Sequence, residues 1–270
     1  MASTCLASAW ASQSDRESSL TGGWVKVAST PAERHVLPMT ETFPAETPAL
    51  RQPILNAPLL VIVVAVVLIL LHAAFEFSPP IQQLAISYDY ALAPQRFWAP
   101  AGSPDVYPDA AAGLLTLLSS GLLHADWLHV LVNSMMLLAL GTPVARALGS
   151  NFASAALWML LFVVSVIGGS ALYLALANVD SPYLIGASGG VSGLFAAAFL
   201  IDPRGGKLPL WSRSFVGMTV AFAIANAALV LVAPFMLGTG VSWEAHAGGY
   251  IAGALMMALL PVRGVAAART

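Results

Sequence analysis

Charge is what this sequence has least of. Only 9% of its residues are Asp, Glu, Lys or Arg, where a soluble domain carries about 25%. With 58% hydrophobic residues and a mean hydropathy of +0.80, that shortage excludes an ordinary water-soluble globule. It points to an all-α polytopic membrane protein whose constant partner is the lipid bilayer. The formal net charge of −2 leaves no broad basic field of the kind a nucleic-acid partner requires. Cysteine is almost missing: Cys5 is alone, so no intrachain disulfide is possible, and five histidines without further cysteines make a structural zinc site unexpected. No metal and no cofactor is expected. A third shortage is local, since no Asp or Glu falls deep within a candidate span. That argues against a proton- or cation-coupled transporter, whose site needs a buried carboxylate, and leaves a passive small-solute channel open.

What the chain does have is long apolar runs. A spanning helix needs roughly 20 mostly apolar residues, and six stretches qualify: about 58–77, 127–148, 153–177, 184–201, 215–237 and 243–262. About 50 residues rich in Pro, Asp, Tyr and Trp separate the first from the second. Within them "AAGLLTLLSSGLLHA" is apolar yet interrupted, and reads as an interfacial or re-entrant element. The expected organisation is a disordered N-terminal tail over 1–56, a membrane domain over 57–262 and a short tail over 263–270. The opening residues lack the basic n-region of a secretory signal, and Met39 is an alternative candidate for the true start.

Six spans put both termini on one side, with the loops after the second and fourth. Ten of the eleven Lys/Arg residues fall there, among them Arg146, Arg204, Lys207 and Arg213. Only Arg96 lies opposite, in the company of Asp89, Asp105, Asp109, Asp126, Asp180 and Glu244. The positive-inside rule therefore places both termini in the cytoplasm.

The few polar groups inside the spans are the functional candidates. His129 and Asn133 are four residues apart, so both project from one helix face. They either hold an anionic oxygen or act as glue between helices. His124 stands near the outer end of that span, in a structural or interfacial role. Ser188 follows the turn-forming run "NVDSPYLIG" and so falls in the first turns of its helix. If the chain at Gly186 is non-helical, backbone N–H groups near Ser188 lack intrahelical partners and are free to hold an oxyanion. Gly189 and Gly193 form a smooth stripe below Ser188; Gly249 and Gly253 do the same below His246. Each stripe taken alone reads more readily as close packing than as chemistry. Together they bring a serine and a histidine base within reach, the recipe for acyl transfer. The remaining polar span residues are Asn226 and Ser192. The soluble G-x-S-x-G elbow is excluded, because no strand precedes the serine and no Asp…His order follows it.

"HxxxN" in the second span, "GxSG" opening the fourth and "HxxGxxxG" in the sixth, in that order, resemble the rhomboid intramembrane serine proteases over roughly residues 57–262. The resemblance implies a six-span bundle with a long membrane-associated first loop, in a bacterial inner membrane. It implies a serine endopeptidase working by a Ser–His dyad: Ser188 as nucleophile and His246 as general base. Its oxyanion hole would be the Ser188 backbone N–H with the side chains of His129 and Asn133. Substrates would be single-span membrane proteins. Three positions depart from the family pattern. Ala112-Gly113 stands where a Trp-Arg pair of the first loop is common, Ala145 where a Glu is, and Ser192 where a Tyr packs on the base. Phe195, one turn on, is a candidate to replace that ring. The alternative within the family is a catalytically dead relative that binds transmembrane clients.

Overall fold

The computed structural model describes residues 57–100, 102–237 and 240–262. The expectations for the N-terminal tail, Met39 and residues 263–270 lie outside them. Among the described residues the chain is all-helical, with two isolated backbone bridges, Leu92–Leu184 and Ile201–Lys207, as the only strand-like pairing.

Four helices are long and apolar enough to cross a membrane. They are α1 (Leu59–Glu76), α5 (Trp127–Leu148), α6 (Phe152–Leu176) and α8 (Arg213–Leu237). Caps set their starts where the sequence changes character. The Asp126 carboxylate accepts the His129 N–H at 2.8 Å, and the Asn151 side chain accepts the Ser154 N–H at 2.8 Å, each satisfying an orphan donor of a first turn. The remaining long elements are shorter than their apolar runs. Helix α7 (Ser188–Phe199) has 12 residues and α9 (Trp243–Leu259) has 17, against expected runs of 184–201 and 243–262. Both ends of α7 are cut by backbone pairing. Leu184 exchanges hydrogen bonds with Leu92, and beyond the C-terminus Leu208 N–H returns to the Leu200 carbonyl at 2.8 Å. Helix α9 stops because Leu260 precedes Pro261 and is extended, at ψ 145°. Its last carbonyls are then capped by Lys207, whose Nζ donates to Met257, Ala258 and Leu260 at 3.3, 2.6 and 2.7 Å.

The region between α1 and α5 is largely helical. It contains α2 (Pro80–Tyr90), α3 (Pro94–Trp98), α4 (Ala110–Ser119) and a single 3₁₀ turn at Ser120–Leu122. Pro80 and Pro94 sit at the first helical position, where a missing N–H costs nothing, and Asp109 caps α4 through the Ala112 N–H. The run "AAGLLTLLSSGLLHA" is α4 and the 3₁₀ turn, about half the length of a span.

Helix α7 is the centre of the bundle, packed by α5, α6 and α9. Leu194, Ala196 and Ala197 on it are fully buried, as are Val130, Leu137, Trp158, Leu161 and Met257 around it. Lipid tails are as apolar as these side chains, so burial alone gains little between helices, and close backbone approach decides the packing. A methyl on Gly249 would collide with the Gly189 carbonyl, and one on Gly253 with the Gly193 backbone. Helix α6 joins the same seam: Gly168 and Gly169 face Gly248, Ala252 and the Ala245 carbonyl, again with no room for a side chain. The Trp158 indole adds a buried N–H donated to the Gly141 carbonyl at 3.0 Å, worth about 0.6 kcal/mol in a membrane. Helix α8 is peripheral, with 6% of its spanning stretch buried. Its attachments run mainly to α9: Phe222 stacks on Tyr250 at 4.5 Å, and Thr219 shares a 2.5 Å hydrogen bond with the Tyr250 hydroxyl.

Candidate active site

The chain entering α7 is held open by three backbone tethers. Leu184 pairs with Leu92, Gly186 N–H donates to the Ser120 carbonyl at 2.9 Å, and Ala187 N–H donates to His124 Nε2 at 3.4 Å. Gly186 takes φ +118°, a conformation that a side chain would strain. Helical bonding begins with Val191 N–H on the Ala187 carbonyl, at 3.0 Å. The N–H groups of Ser188, Gly189 and Gly190 therefore precede the ladder, and they carry the positive end of the α7 dipole. Ser188 is the first helical residue and is half-buried.

His129 and Asn133 converge on that entry from α5. A Cβ on Gly186 would lie 2.7 Å from His129 Nε2 and 3.8 Å from Asn133 Nδ2, so glycine is what lets both side chains reach the backbone there. Asn133 is 5% exposed, and its Nδ2 is buried without a hydrogen-bond partner. An orphaned buried amide donor costs about 1–3 kcal/mol, and a catalytic role is one of the reasons a native protein keeps such a group. His124 sits behind them with its ring edge-on to His129, 5.0 Å between centroids. Burial drives the His124 pKa from 6.5 to about 3, helped by the neighbouring His129 and His72. It is a neutral acceptor for the Ala187 N–H, and its contact is with the tether rather than with Ser188.

His246 lies in the first turn of α9, half-buried. The glycine seam brings the starts of α7 and α9 into one corner. Gly189, next to Ser188, faces the carbonyl of Ala245, next to His246, with a would-be Cβ 3.3 Å away. The His246 ring has a partner the sequence did not reveal: its Nδ1 lies 2.8 Å from Asn226 Oδ1 of α8. Ser192 is buried on α7. Phe195 packs on Phe199, Phe222 and Tyr250, with centroids 4.7, 5.3 and 6.3 Å away, deeper along the helix. Among the described residues no cluster of His, Cys, Asp or Glu could hold a metal ion.

A second residue escaped the sequence reading. Arg96 counts there only as a stray positive charge, yet it is 5% exposed. Its guanidinium is sandwiched between the rings of Tyr88 and Tyr107, 3.9 and 4.0 Å from their centroids. It donates to the carbonyls of Tyr88 and Asp105. Tyr107 in turn accepts the Ala93 N–H and stands over Gly113, so one arginine knits α2, α3 and the start of α4. The readable signal was the crowd of Tyr, Phe and Trp around it in the sequence, since stacking is where arginine goes when desolvated.

The Rhomboid domain family model matches residues 111–263, from α4 to just past α9. The chain belongs to the rhomboid family. Similar proteins include Uncharacterized protein Rv1337 of Mycobacterium tuberculosis and Uncharacterized protein Mb1372 of Mycobacterium bovis. Each is 33% identical over 165 residues, covering 57% of this chain and 62% of the relative. Uncharacterized protein ML1171 of Mycobacterium leprae is 33% identical over 144 residues, covering 51% of this chain and 53% of the relative. The matches thus span less than two thirds of these relatives' length. Family membership and the apolar helices make this rhomboid an integral, multi-pass membrane protein of a family of intramembrane proteases and their relatives.

Proposed function

We propose that this rhomboid is an intramembrane serine endopeptidase that cuts single-span membrane proteins in or near their spanning segment. In this reading α1, α5, α6, α7, α8 and α9 are six spans within a domain of residues 57–262. Both termini are cytoplasmic, in a bacterial cell membrane. His246 Nε2 takes the Ser188 hydroxyl proton as Oγ attacks the scissile carbonyl. The resulting oxyanion is held by the Ser188 N–H, the Asn133 amide and the His129 ring, donors that are already oriented and need no reorganisation. Collapse breaks the C–N bond, and His246 returns its proton to the leaving amine. A water then attacks the acyl-serine with His246 again as base, releasing the acid and restoring Ser188.

The observation that carries the reading is the unpartnered Asn133 Nδ2, turned with His129 toward Gly186 in the non-helical entry to α7, just before the N-terminal Ser188. The alternative, a client-binding relative without activity, is disfavoured because Ser188 and His246 are both present. A fluorophosphonate probe separates them in detergent-solubilised protein. Wild type is expected to label and Ser188→Ala not to. A folded wild-type sample that stays unlabelled through repeated trials rules the enzyme out.

A further inference from the structure

In a Ser–His dyad nothing on the serine side decides which imidazole nitrogen carries the proton, and a base with its proton on Nε2 cannot accept another there. The surroundings of His246 settle this. Asn226 makes two contacts from α8: Nδ2 to the Trp243 carbonyl at 3.3 Å, and Oδ1 to His246 Nδ1 at 2.8 Å. A backbone carbonyl only accepts, so the edge of the amide facing Trp243 is the NH₂. The edge facing His246 is then the oxygen, and two acceptors cannot bond. Nδ1 must therefore carry the hydrogen, and a neutral imidazole has only one. Nε2 is left as a lone pair, the form a general base needs.

We propose that Asn226 is a positioning residue for His246. It fixes the Nδ1–H tautomer and the ring's orientation, and its amide oxygen stabilises the imidazolium that forms when the serine proton arrives. This rests on the reading of His246 as the base, and it extends the dyad to a Ser–His–Asn arrangement assembled from α7, α9 and α8. The Trp243 carbonyl belongs to the first residue of α9, so the helix that carries the base also locks the amide that orients it. The same two bonds are polar attachments of an otherwise peripheral α8 to α9. Any outward movement of α8 at this level would release the imidazole.

The test uses full-length protein in detergent, with ¹⁵N-labelled histidine, and a fluorophosphonate probe. In the spectrum of wild type, the His246 resonance, assigned by its loss in His246→Gln, is expected to show protonated Nδ1 and unprotonated Nε2. Asn226→Leu should lose that signature and label about 10–100-fold more slowly, a fraction of what a general base supplies. Its melting temperature should stay near that of wild type. Asn226→Asp, which keeps the acceptor for Nδ1–H, should recover most of the rate, which a purely structural role would not predict. A wild-type His246 protonated on Nε2, or Asn226→Leu labelling at the wild-type rate, overturns the inference. Wild type that never labels overturns the protease reading instead, while the tautomer, read without turnover, still decides the role of Asn226.

Discussion

Replacing Gly249 by Ala adds one methyl group at the tightest point between the helices carrying Ser188 and His246. The new Cβ would sit 2.6 Å from the Gly189 carbonyl carbon and 2.8 Å from its Cα, where ordinary contact begins at 3.4 Å. Relieving the carbonyl-carbon contact alone opens the seam by about 0.8 Å, and the Gly189 carbonyl oxygen lies closer still. The obstacle is backbone, so no rotamer change absorbs it, and α9 is also wedged against Gly168 and Gly169 of α6 on its other side. Overpacking of this kind costs about 1–3 kcal/mol, and a misplacement near 1 Å costs on the order of 100-fold in rate. Gly249→Ala should therefore lower the second-order rate of fluorophosphonate labelling by about 10–100-fold and reduce the melting temperature. Gly217→Ala is the control. On α8 a methyl there meets nothing within 4 Å, and removing a helix-interior glycine is neutral or stabilising by up to about 1 kcal/mol. If Gly249→Ala labels and melts like wild type, the seam does not set the distance between Ser188 and His246, and the packing argument is wrong.

Asn133→Ala removes one oxyanion donor and should lower kcat by about 100- to 1,000-fold with KM little changed, measured on a quenched transmembrane peptide; an unaltered kcat removes Asn133 from the oxyanion hole. His124 predicts a pH dependence of stability. Its folded pKa of about 3 lies below the ordinary 6.5, so between those values the unfolded state binds more protons. Its stabilising contribution is complete above pH 6.5 and declines as the pH falls, by about 2 kcal/mol at pH 5. His124→Gln, which keeps an acceptor for the Ala187 N–H, should melt with a smaller loss between pH 7.5 and 5. An equal loss in both proteins would show that His124 is not the titrating group.

The long spans were legible because each is a long apolar run, and two of them open directly after a capping residue. Trp127–Leu148 begins one residue after Asp126, and Phe152–Leu176 one residue after Asn151. Helix α7 was overdrawn because hydropathy does not register a backbone bridge or a positive φ. The residues Leu184 to Ala187 are apolar enough to look helical while their hydrogen bonds go to Leu92, Ser120 and His124. The glycine stripes announce smooth faces, but spacing along one helix cannot say which neighbour meets them. The part played by Gly168 and Gly169 of α6 was invisible for that reason. Asn226 shows the same limit in the site: a lone polar residue on a lipid-facing helix has no local signal for a histidine 20 positions away. The packing role of Arg96 was not legible, because charge counting does not register desolvated stacking.

The Lys207 cap has a consequence for how this protein answers chemical probes. Lys26 and Lys207 are its two lysines, and Lys26 lies outside the described residues. The Lys207 amine is engaged by three carbonyls at the end of α9, which holds its nitrogen against the helix end and hinders the approach of acylating reagents. Membrane-sidedness mapping with amine-reactive dyes would therefore under-report the loop between α7 and α8. Conversely, modification at Lys207 becomes a clock for the fraying of the helix that carries His246, readable by mass spectrometry in intact membranes.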